Sequence, residues 1–165
     1  MFTTSSNTLS QREKKLIVAL QQVKVRRAEG LFVAEGPKLI GELLATFPCR
    51  LLVTTASFLP LVESLGQIQR IVLLPEGYDF SSLSTLRTPR PMIALLELPT
   101  PPSTSTITAP SLLLDNVQDP GNVGSILRTA DWFGCRTVFT TEGTADPFSP
   151  KVVQATMGAL ARVRV

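Results

Sequence analysis

One segment constrains the fold more than any other. An apolar run at residues 112–114 leads into a loop rich in glycine, proline and asparagine at residues 115–122, and a helical pattern follows over residues 123–133. In α/β sheets, a strand that ends in such a loop and continues into a helix forms a ligand site, because strand carbonyls and helix amides converge there. The sequence therefore predicts an α/β fold with a ligand site at this bend.

The composition excludes several classes of protein. The chain has 165 residues, enough to bury a core, and none of its apolar stretches approaches the roughly 18 residues of a membrane span. We therefore expect no membrane association. The two cysteines lie far apart, which favours reduced thiols in the cytoplasm and no metal site. The chain contains no histidine, and this excludes Ser-His-Asp hydrolysis and His-ligated zinc.

Positive charge is concentrated near the N-terminus. Residues 1–30 hold six basic and two acidic side chains, whereas the remaining residues hold ten basic and eleven acidic ones. A basic segment on a nearly neutral body favours an anionic partner, most often phosphate. A solvated helix face is an equally good interpretation of the same pattern. The basic residues are Arg12, Lys14, Lys15, Lys24, Arg26 and Arg27.

The N-terminal segment also carries a helix signal. Ser10 followed by Glu13 matches a capping box, which predicts a first helix over residues 11–25. The predicted buried stripe of this helix consists of Leu16, Leu20 and Val23.

Apolar runs that favour strands alternate with helical patterns as far as residue 98. Strands that are apolar throughout are typical of a parallel or mixed sheet covered on both faces. Pro37 opens a helix, whose predicted buried face holds Leu39, Ile40, Leu43, Leu44 and Phe47. We predict strands at residues 31–34, 51–53, 71–74 and 92–98, and short helices at residues 59–65 and 80–86.

A stretch of proline, serine and threonine interrupts the alternation and predicts a domain boundary. We expect a first domain over residues 1–98, a linker over residues 99–110 and a second domain over residues 111–165. The second domain is predicted to contain strands at residues 112–115 and 137–140, a helix at residues 123–133 ended by Gly134, a last helix from residue 149 to about residue 160, and the start of a strand at residues 163–165.

The helix after the loop places Arg128 away from its predicted buried stripe. That stripe consists of Val123, Ile126, Ala130 and Phe133, with Leu127 at its edge. Taken alone, the helix favours a surface arginine paired with Asp131 three residues later.

The loop favours a ligand instead. Gly121 and Gly124 would let the backbone approach a ligand closely, and Asn122 offers a donor and an acceptor near the positive end of the helix. The guanidinium of Arg128 could then hold a phosphate through two hydrogen bonds. The spacing matches neither a P-loop nor a dinucleotide fingerprint.

Several stretches of the chain carry a resemblance to a known family. Residues 113–130, with the pattern LLDNxxDPGNVGxIxRTA followed by Phe133 and Gly134, resemble the first motif of the SpoU (TrmH-like) RNA 2′-O-methyltransferases of the SPOUT superfamily. Residues 149–151 and 155–160 resemble the stretch that follows this motif. Residues 32–39 resemble the opening of the family's N-terminal substrate-binding domain.

The resemblance implies a fold and an activity. It implies a small N-terminal α/β RNA-binding domain, similar to certain ribosomal proteins, followed by the first part of a SPOUT α/β-knot domain. Members of the family use S-adenosylmethionine to methylate a ribose 2′-hydroxyl in tRNA or rRNA, and their active site lies at a homodimer interface.

The resemblance also implies roles for single residues. Arg128 matches the arginine assigned to activating the 2′-hydroxyl, and Asn122 matches the asparagine that orients the site. Because arginine does not release its proton in proteins, we expect Arg128 to hold the adjacent phosphate and to stabilise alkoxide charge. The group that accepts the proton of the 2′-hydroxyl is left open. Lys38 is expected to contact RNA, with a solvated helix face as the alternative, and Glu35 is either a cap or first-turn charge before Pro37 or an RNA contact. The remaining motif residues of the loop are Asp119, Pro120, Gly121 and Gly124.

One departure from the family changes the expectation for this chain. The two later motifs on which cofactor binding depends, a glycine-glutamate loop and a serine-leucine-asparagine segment, do not follow within the 165 residues. We expect them beyond Val165, so the residues that bind the cofactor stay unknown. We therefore expect a piece of a longer protein that binds the cofactor weakly and does not methylate RNA by itself.

Two other functions compete with this one. A non-catalytic RNA-binding module is the alternative. An enzyme acting on small nucleotides is disfavoured, because no catalytic acid-base pair accompanies the loop.

Overall fold

The computed structural model describes residues 3–4, 8–62, 64–100 and 110–165. Its helices are α1 (Gln11–Ala19), α2 (Val23–Glu29), α3 (Pro37–Leu44), α4 (Pro120–Trp132) and α5 (Pro150–Thr156). Its strands are β1 (Thr3–Thr4), β2 (Leu31–Glu35), β3 (Cys49–Thr55), β4 (Arg70–Leu74), β5 (Met92–Glu97), β6 (Ser111–Leu114) and β7 (Thr137–Thr140). Most of the predicted linker, residues 101–109, lies outside the described residues, so the division into two domains stays a prediction.

The first sheet is mixed, as predicted. Its strand order is β1-β4-β3-β5-β2; β4 runs parallel to β1 and β3, whereas β5 runs antiparallel to β3 and β2. Alternate residues of β2 point to opposite sides, so that Phe32 belongs to one buried cluster and Val33 to the other. Because both faces are covered, β2, β3, β4 and β5 each contain a run of consecutive apolar residues instead of alternating with polar ones.

The predicted first helix is wrong in its length. The capping box is present, with the amide of Glu13 donating to Ser10 Oγ at 3.2 Å, but the helix ends at Ala19 and a second helix begins at Val23. The break lets Leu20 turn into the core, where it is fully buried, while Val23 is 41% exposed and Leu16 is half-buried. Tertiary burial therefore decides where the helix ends.

Two other predicted helices are shorter than expected. Among the described residues of the range 59–65 there is one 3-10 turn, at Leu59–Leu61, and residues 80–86 form one at Phe80–Ser82. After the first turn the chain comes close to the end of α3: a Cβ on Gly66 would lie 2.3 Å from the carbonyl oxygen of Leu44.

The helix that starts at Pro37 follows the prediction more closely. Its five predicted apolar residues are all buried, although α3 ends at Leu44, so Phe47 reaches the core from the turn that follows.

The C-terminal part contains a second, two-stranded sheet. Strands β6 and β7 are parallel, with Leu112 opposite Val138, and α4 connects them. Arg164 extends the sheet at β7 through a parallel bridge to Thr137, in which the amide of Val138 donates to the carbonyl oxygen of Arg164 at 2.9 Å. The strand predicted to begin at residues 163–165 is therefore present as a single bridge.

The two sheets share one apolar core. The cluster on one face of the first sheet contains Phe32 and Leu43 together with Val123 and Val138 from the C-terminal part. The ring of Phe148 lies 5.2 Å from that of Phe32, and it also contacts the ring of Phe47. Residues 110–165 thus pack directly onto the first sheet.

Candidate functional site

The loop at the candidate site enters its helix earlier than predicted. Helix α4 begins at Pro120, because Asp119 caps it by accepting the amide hydrogen of Asn122 at 2.8 Å and because proline is already fixed near helical φ. Gly121, Asn122 and Gly124 therefore lie in the first turns of the helix. The placement of Pro120, Gly121 and Asn122 in a loop is wrong, although they do stand at the N-terminal end of the helix.

Gly124 serves helix packing. It is buried in α4, where a Cβ would lie 2.3 Å from the Cβ of Ala155 and 2.9 Å from the Ala155 carbonyl carbon. The close contact between α4 and α5 therefore requires glycine here, and the interpretation of Gly124 as a point of close approach to a ligand is wrong. Gly121 is exposed.

The buried face of α4 differs from the prediction at its C-terminal end. Val123, Leu127 and Ala130 are buried, but Phe133 is 80% exposed. Helix α4 ends at Trp132, and Gly134 follows with φ +72°; the amide of Cys135 donates to the carbonyl oxygen of Ala130 at 2.8 Å. This Schellman turn confirms the helix end at Gly134 and directs Phe133 to the outside.

A polar ridge runs along the outer side of α4. Asn122, Ser125 and Arg128 follow each other at intervals of three residues, and all three are exposed. Ser125 Oγ donates to the carbonyl oxygen of Asn122 at 2.9 Å. Asn122 and Arg128 are separated by about 9 Å along the helix axis. The predicted pair of site residues thus shares one surface ridge, and Ser125 is an additional polar residue between them.

Arg128 lines an open groove between α4 and the turn after α5. The groove has a volume of about 570 Å³, and Met157 and Arg162 form its other side. The predicted pairing of Arg128 with Asp131 is wrong. Asp131 instead pairs with Arg136 at 2.6 Å and with Arg162 at 2.8 Å.

These contacts fix Arg162 and leave Arg128 available. Hydrogen bonds to Asp131 and Glu42 raise the pKa of Arg162, so it stays charged and held in the wall of the groove. Within the part of the chain that the structure describes, no carboxylate forms an ion pair with Arg128. Its guanidinium can therefore bind an external anion.

The carboxyl ends of β6 and β7 are joined by a hydrogen-bond network that the sequence did not reveal. Thr144 Oγ1 donates to the carbonyl oxygen of Leu114 at 2.9 Å, and the amide of Asn116 donates to Thr141 Oγ1 at 3.1 Å. Asn116 adopts φ +55°, and a Cβ on Gly143 would lie 2.6 Å from its Oδ1 atom. The sequence signals this network only through Thr141 and Thr144, which lie on either side of Gly143.

Val165 lies at the edge of the apolar core and not in the groove of Arg128. Its side chain is half-buried and packs against the apolar core, and it lines a crevice together with Phe47 and Phe148. Val165 does not line the groove, so we assign it no contact with a cofactor. The placement of the cofactor-binding motifs beyond Val165 stays a prediction.

Most of the predicted RNA-binding residues are accessible, but Arg26 is not. Arg26 is 2% exposed; its Nε and Nη2 atoms donate to Asp146, and its Nη1 atom donates to the carbonyl oxygens of Leu20 and Gln21 at 2.8 Å. It caps the end of α1 and joins it to the C-terminal part, so its assignment to RNA binding is wrong. Arg12, Lys15, Lys24, Arg27 and Lys38 are exposed, and Lys14 is half-buried.

Glu35 is likewise a structural residue. It is 3% exposed and accepts hydrogen bonds from the amide of Thr85 at 2.9 Å, from Thr85 Oγ1 at 3.1 Å and from Ser84 Oγ. Gly36, and not a side chain, occupies the N-cap of α3. Both earlier interpretations of Glu35 are therefore wrong, because its carboxylate holds the segment before β5.

The cysteines and acidic residues form no metal centre in the described residues, where no cluster of three potential ligands exists. Burial raises the pKa of the Cys49 thiol to about 12, so this thiol stays protonated. Cys135 is partly exposed, and both cysteines are free.

Within the residues that the structure covers, no helix has the length and apolar character needed to span a bilayer.

Two family matches cover most of the chain. Residues 12–94 match the MRM3-like substrate binding domain, and residues 109–165 match the SpoU rRNA Methylase family. The chain belongs to the SpoU family of RNA methyltransferases within the SPOUT superfamily.

Curated relatives agree with this assignment. The chain is 31% identical to rRNA methyltransferase 3, mitochondrial, of Xenopus laevis, over 93% of this chain and 39% of that protein. It is 33% identical to the 23S rRNA (guanosine(2553)-2′-O)-methyltransferase RlmP of Bacillus subtilis (strain 168), over 85% of this chain and 55% of that protein. The chain thus spans two fifths to just over half of the length of these relatives.

Solved structures share the fold. A putative RNA methyltransferase of the TrmH family from Porphyromonas gingivalis is 51% identical with a TM-score of 0.89, over 95% of this chain and 62% of that one. An AdoMet-bound rRNA methyltransferase from Sinorhizobium meliloti is 27% identical with a TM-score of 0.76, over 99% of this chain and 63% of that one. S-adenosylmethionine is thus a cofactor of the family.

Proposed function

We propose that the protein transfers a methyl group from S-adenosylmethionine to a ribose 2′-hydroxyl of RNA, with rRNA as the substrate. The observation that carries this proposal is the exposed guanidinium of Arg128, which stands on the outer ridge of α4 with Asn122 and without an ion-pair partner among the described residues. The names of the curated relatives support rRNA over tRNA.

Arg128 acts on the charge of the substrate and does not remove a proton. Methylation requires the oxygen of the ribose 2′-hydroxyl to lose its proton, and negative charge builds up on that oxygen as the proton leaves. A guanidinium stabilises this charge and can bind the neighbouring phosphate through two hydrogen bonds. Asn122, on the same ridge, orients the ribose with its amide. We assign no proton acceptor among the described residues.

The described residues at the sheet edge do not fit the cofactor by themselves. Gln118 Nε2 donates to Asn116 Oδ1 at 3.1 Å, and Thr141 Oγ1 donates to Asp115 Oδ1 at 2.9 Å. The Thr144 hydroxyl donates to a backbone carbonyl. Because these polar groups are hydrogen-bonded to each other, they form no cradle for adenosylmethionine, and we derive no catalytic step through it.

Exposed basic residues of α1 and α2 support a contact with the RNA backbone. Arg12 and Lys15 on α1 and Lys24 and Arg27 on α2 are accessible to solvent. For contacts of this kind the affinity falls with salt, with a slope of about −0.7 per phosphate on a single strand. An affinity for RNA that does not change with salt would show that these residues form only a solvated helix face.

Exposed apolar side chains support a homodimer. Trp132 is 85% exposed, Phe133 80% and Leu113 66%, and such side chains in groups mark association surfaces. We place the dimer contact at the C-terminal end of α4, beside the groove of Arg128. We also propose that the protein is located in the cytoplasm. Sedimentation equilibrium of the full-length protein and of its Trp132→Ala variant tests the dimer.

The experiment that tests the function is methyl transfer from labelled S-adenosylmethionine to rRNA by the full-length protein. We expect Arg128→Ala to lower kcat by roughly 10²- to 10³-fold, the effect of removing one electrostatic stabiliser, with the affinity for the cofactor unchanged. Arg50→Ala, an exposed arginine on β3, is the matched control and should leave turnover unchanged. RNA binding without methyl incorporation would instead support a non-catalytic RNA-binding module.

A further inference from the structure

A second cleft lies next to the groove of Arg128, between the start of α3 and the end of α5. Its volume is about 310 Å³, at the lower end of the roughly 300–1,000 Å³ of ligand pockets. Lys38 and Arg90 line it from the N-terminal part, and Gln154 and Met157 line it from the C-terminal part. The cleft is thus formed jointly by the two family-matched segments.

The charge of the cleft is positive at its mouth. Lys38 and Arg90 are exposed, and neither forms an ion pair within the described residues. Glu35 also lines the cleft, but its oxygens are occupied by hydrogen bonds from Ser84 and Thr85. The cleft therefore holds two cations without an ion pair and one carboxylate that accepts three hydrogen bonds.

The stem of Arg90 runs close to Gly36. A Cβ on Gly36 would lie 3.4 Å from Arg90 Cγ and 3.7 Å from Arg90 Cβ, which is ordinary van der Waals contact. Arg90 itself is exposed. Its stem therefore lies along the wall of the cleft beside Gly36, and its side chain stays accessible to solvent.

Met157 connects the cleft with the groove of Arg128, because it lines both. Its φ of +49° is unusual for a residue other than glycine, and its side chain is 60% exposed. The turn is held by the next residue, Gly158, where a Cβ would lie 2.8 Å from Glu42 Cβ. Packing against α3 thus holds an apolar side chain on the surface between the two cationic sites.

We propose that this cleft binds the phosphodiester group of the nucleotide next to the one held at Arg128. Lys38 and Arg90 contact the phosphate, Gln154 offers a hydrogen bond to the same nucleotide, and Met157 packs against the unstacked base between the two sites. Single-stranded RNA suits this path because its bases are free to splay apart. The inference rests on the proposed function, since it extends the same RNA strand from Arg128 across Met157.

The test measures binding of a short fluorescein-labelled single-stranded oligoribonucleotide to the 165-residue chain by fluorescence anisotropy, over a range of salt concentrations. We expect Lys38→Gln combined with Arg90→Gln to weaken binding and to reduce the salt slope by about 0.7 for the lost phosphate contact. Arg50→Gln combined with Arg87→Gln removes the same charge at exposed sites outside this cleft and should change the slope much less.

A second pair of variants adds a negative charge and keeps every lysine and arginine in place. Gln154→Glu places a carboxylate in the wall of the cleft and should weaken binding several-fold, whereas Gln67→Glu adds the same charge at an exposed site outside it and should not. Circular dichroism verifies that each variant is folded.

The outcomes separate this inference from the proposed function. If the chain binds RNA but the cleft variants match their controls, the cleft is not a phosphate site. This result would not contradict the proposed methyl transfer by the full-length protein. If the chain binds no RNA at all, the inference is also overturned. If the cleft variants weaken binding and the full-length protein transfers no methyl group, the cleft stands and the proposed function fails.

Discussion

The two sheets of the molecule are buried to very different extents. In the first sheet all five residues of β2 are buried, whereas in the second sheet β6 has one buried residue, Leu114, and Leu113 is 66% exposed. The first sheet is covered on one face by the N-terminal helices and turns and on the other by α3 together with the C-terminal part, while the second sheet packs one side onto this core and leaves the other open. The candidate site lies on the open part, in agreement with the tendency of functional regions to be the less buried ones.

The strongest test of this difference breaks the contact between the two parts. Asp146→Ala leaves Arg26 buried without a counter-charge, and removing one partner of a buried pair costs about 3–5 kcal/mol. Because the Asp146 side chain is 26% exposed, we expect a loss near the lower limit. Urea denaturation measures the free energy of unfolding.

Two variants act as controls for this prediction. Glu142→Ala removes an exposed carboxylate from the same region and should change the stability by less than about 0.5 kcal/mol. Arg26→Met combined with Asp146→Ala removes both charges and should recover part of the loss. Equal stability of Asp146→Ala and Glu142→Ala would show that the ion pair does not join the two parts.

A comparison of two phenylalanines tests the shared core. Phe148 contacts the rings of Phe32 and Phe47, whereas Phe133 is 80% exposed. Because Phe148 is only half-buried, we expect Phe148→Ala to cost about 2–3 kcal/mol, less than the roughly 3–5 kcal/mol of a fully buried ring. Phe133→Ala should stay within about 0.5 kcal/mol. Similar values for both variants in thermal and urea unfolding would contradict the assignment of Phe148 to the core.

The contact between α4 and α5 gives a third prediction. Gly124→Ala would place a Cβ 2.3 Å from Ala155 Cβ, and overpacking of this kind costs about 1–3 kcal/mol. Ala155→Gly in the same protein should restore part of the stability. Gly41→Ala in α3 is the matched control, since its Cβ would lie 3.5 Å from Leu65 Cδ1, and it should be neutral or stabilising by up to about 1 kcal/mol. A destabilised Gly41→Ala with a neutral Gly124→Ala would reverse this argument.

The smallest expected effect concerns acid stability of the N-terminal part. Hydrogen bonds from the hydroxyl and amide of Ser81 lower the pKa of Asp79. Its charged form therefore stabilises the fold above the ordinary pKa of aspartate, and this contribution disappears as the pH falls through the lowered value. The stability difference between the wild type and Asp79→Ala should shrink in acid. A difference that grows as the pH falls would contradict the assignment.

Local patterns in the sequence predicted much of the first sheet. Apolar runs located β2, β4 and β5, and the periodicity after Pro37 gave the buried face of α3. Short-range signals such as the Ser10 capping box and Gly134 also fixed helix ends correctly. These features depend on neighbours within a few residues, so the chain reveals them without its fold.

The sequence-based predictions were wrong where residues far apart in the sequence contact each other. Arg26 and Asp146 are 120 residues apart, and no local pattern distinguishes this arginine from its exposed neighbour Arg27. Gly124 matches the motif, but the close packing of α4 against Ala155 is what requires a glycine there. Asp131 forms its ion pair with Arg162 and not with Arg128. At the candidate site the sequence located Arg128 on the helix and Asn122 in the loop just before it, whereas the start of α4 at Pro120, the groove, the threonine network and the cleft of Arg90 came only from the structure.

The most direct measurement identifies the position of the methyl group. After reaction of the full-length protein with labelled S-adenosylmethionine and rRNA, the RNA is digested to nucleosides and these are separated by mass spectrometry. A ribose that carries the label on its 2′-oxygen, absent from the Arg128→Ala reaction, is the result that we predict. A label on a nucleobase, or a ribose label that Arg128→Ala leaves undiminished, would contradict it.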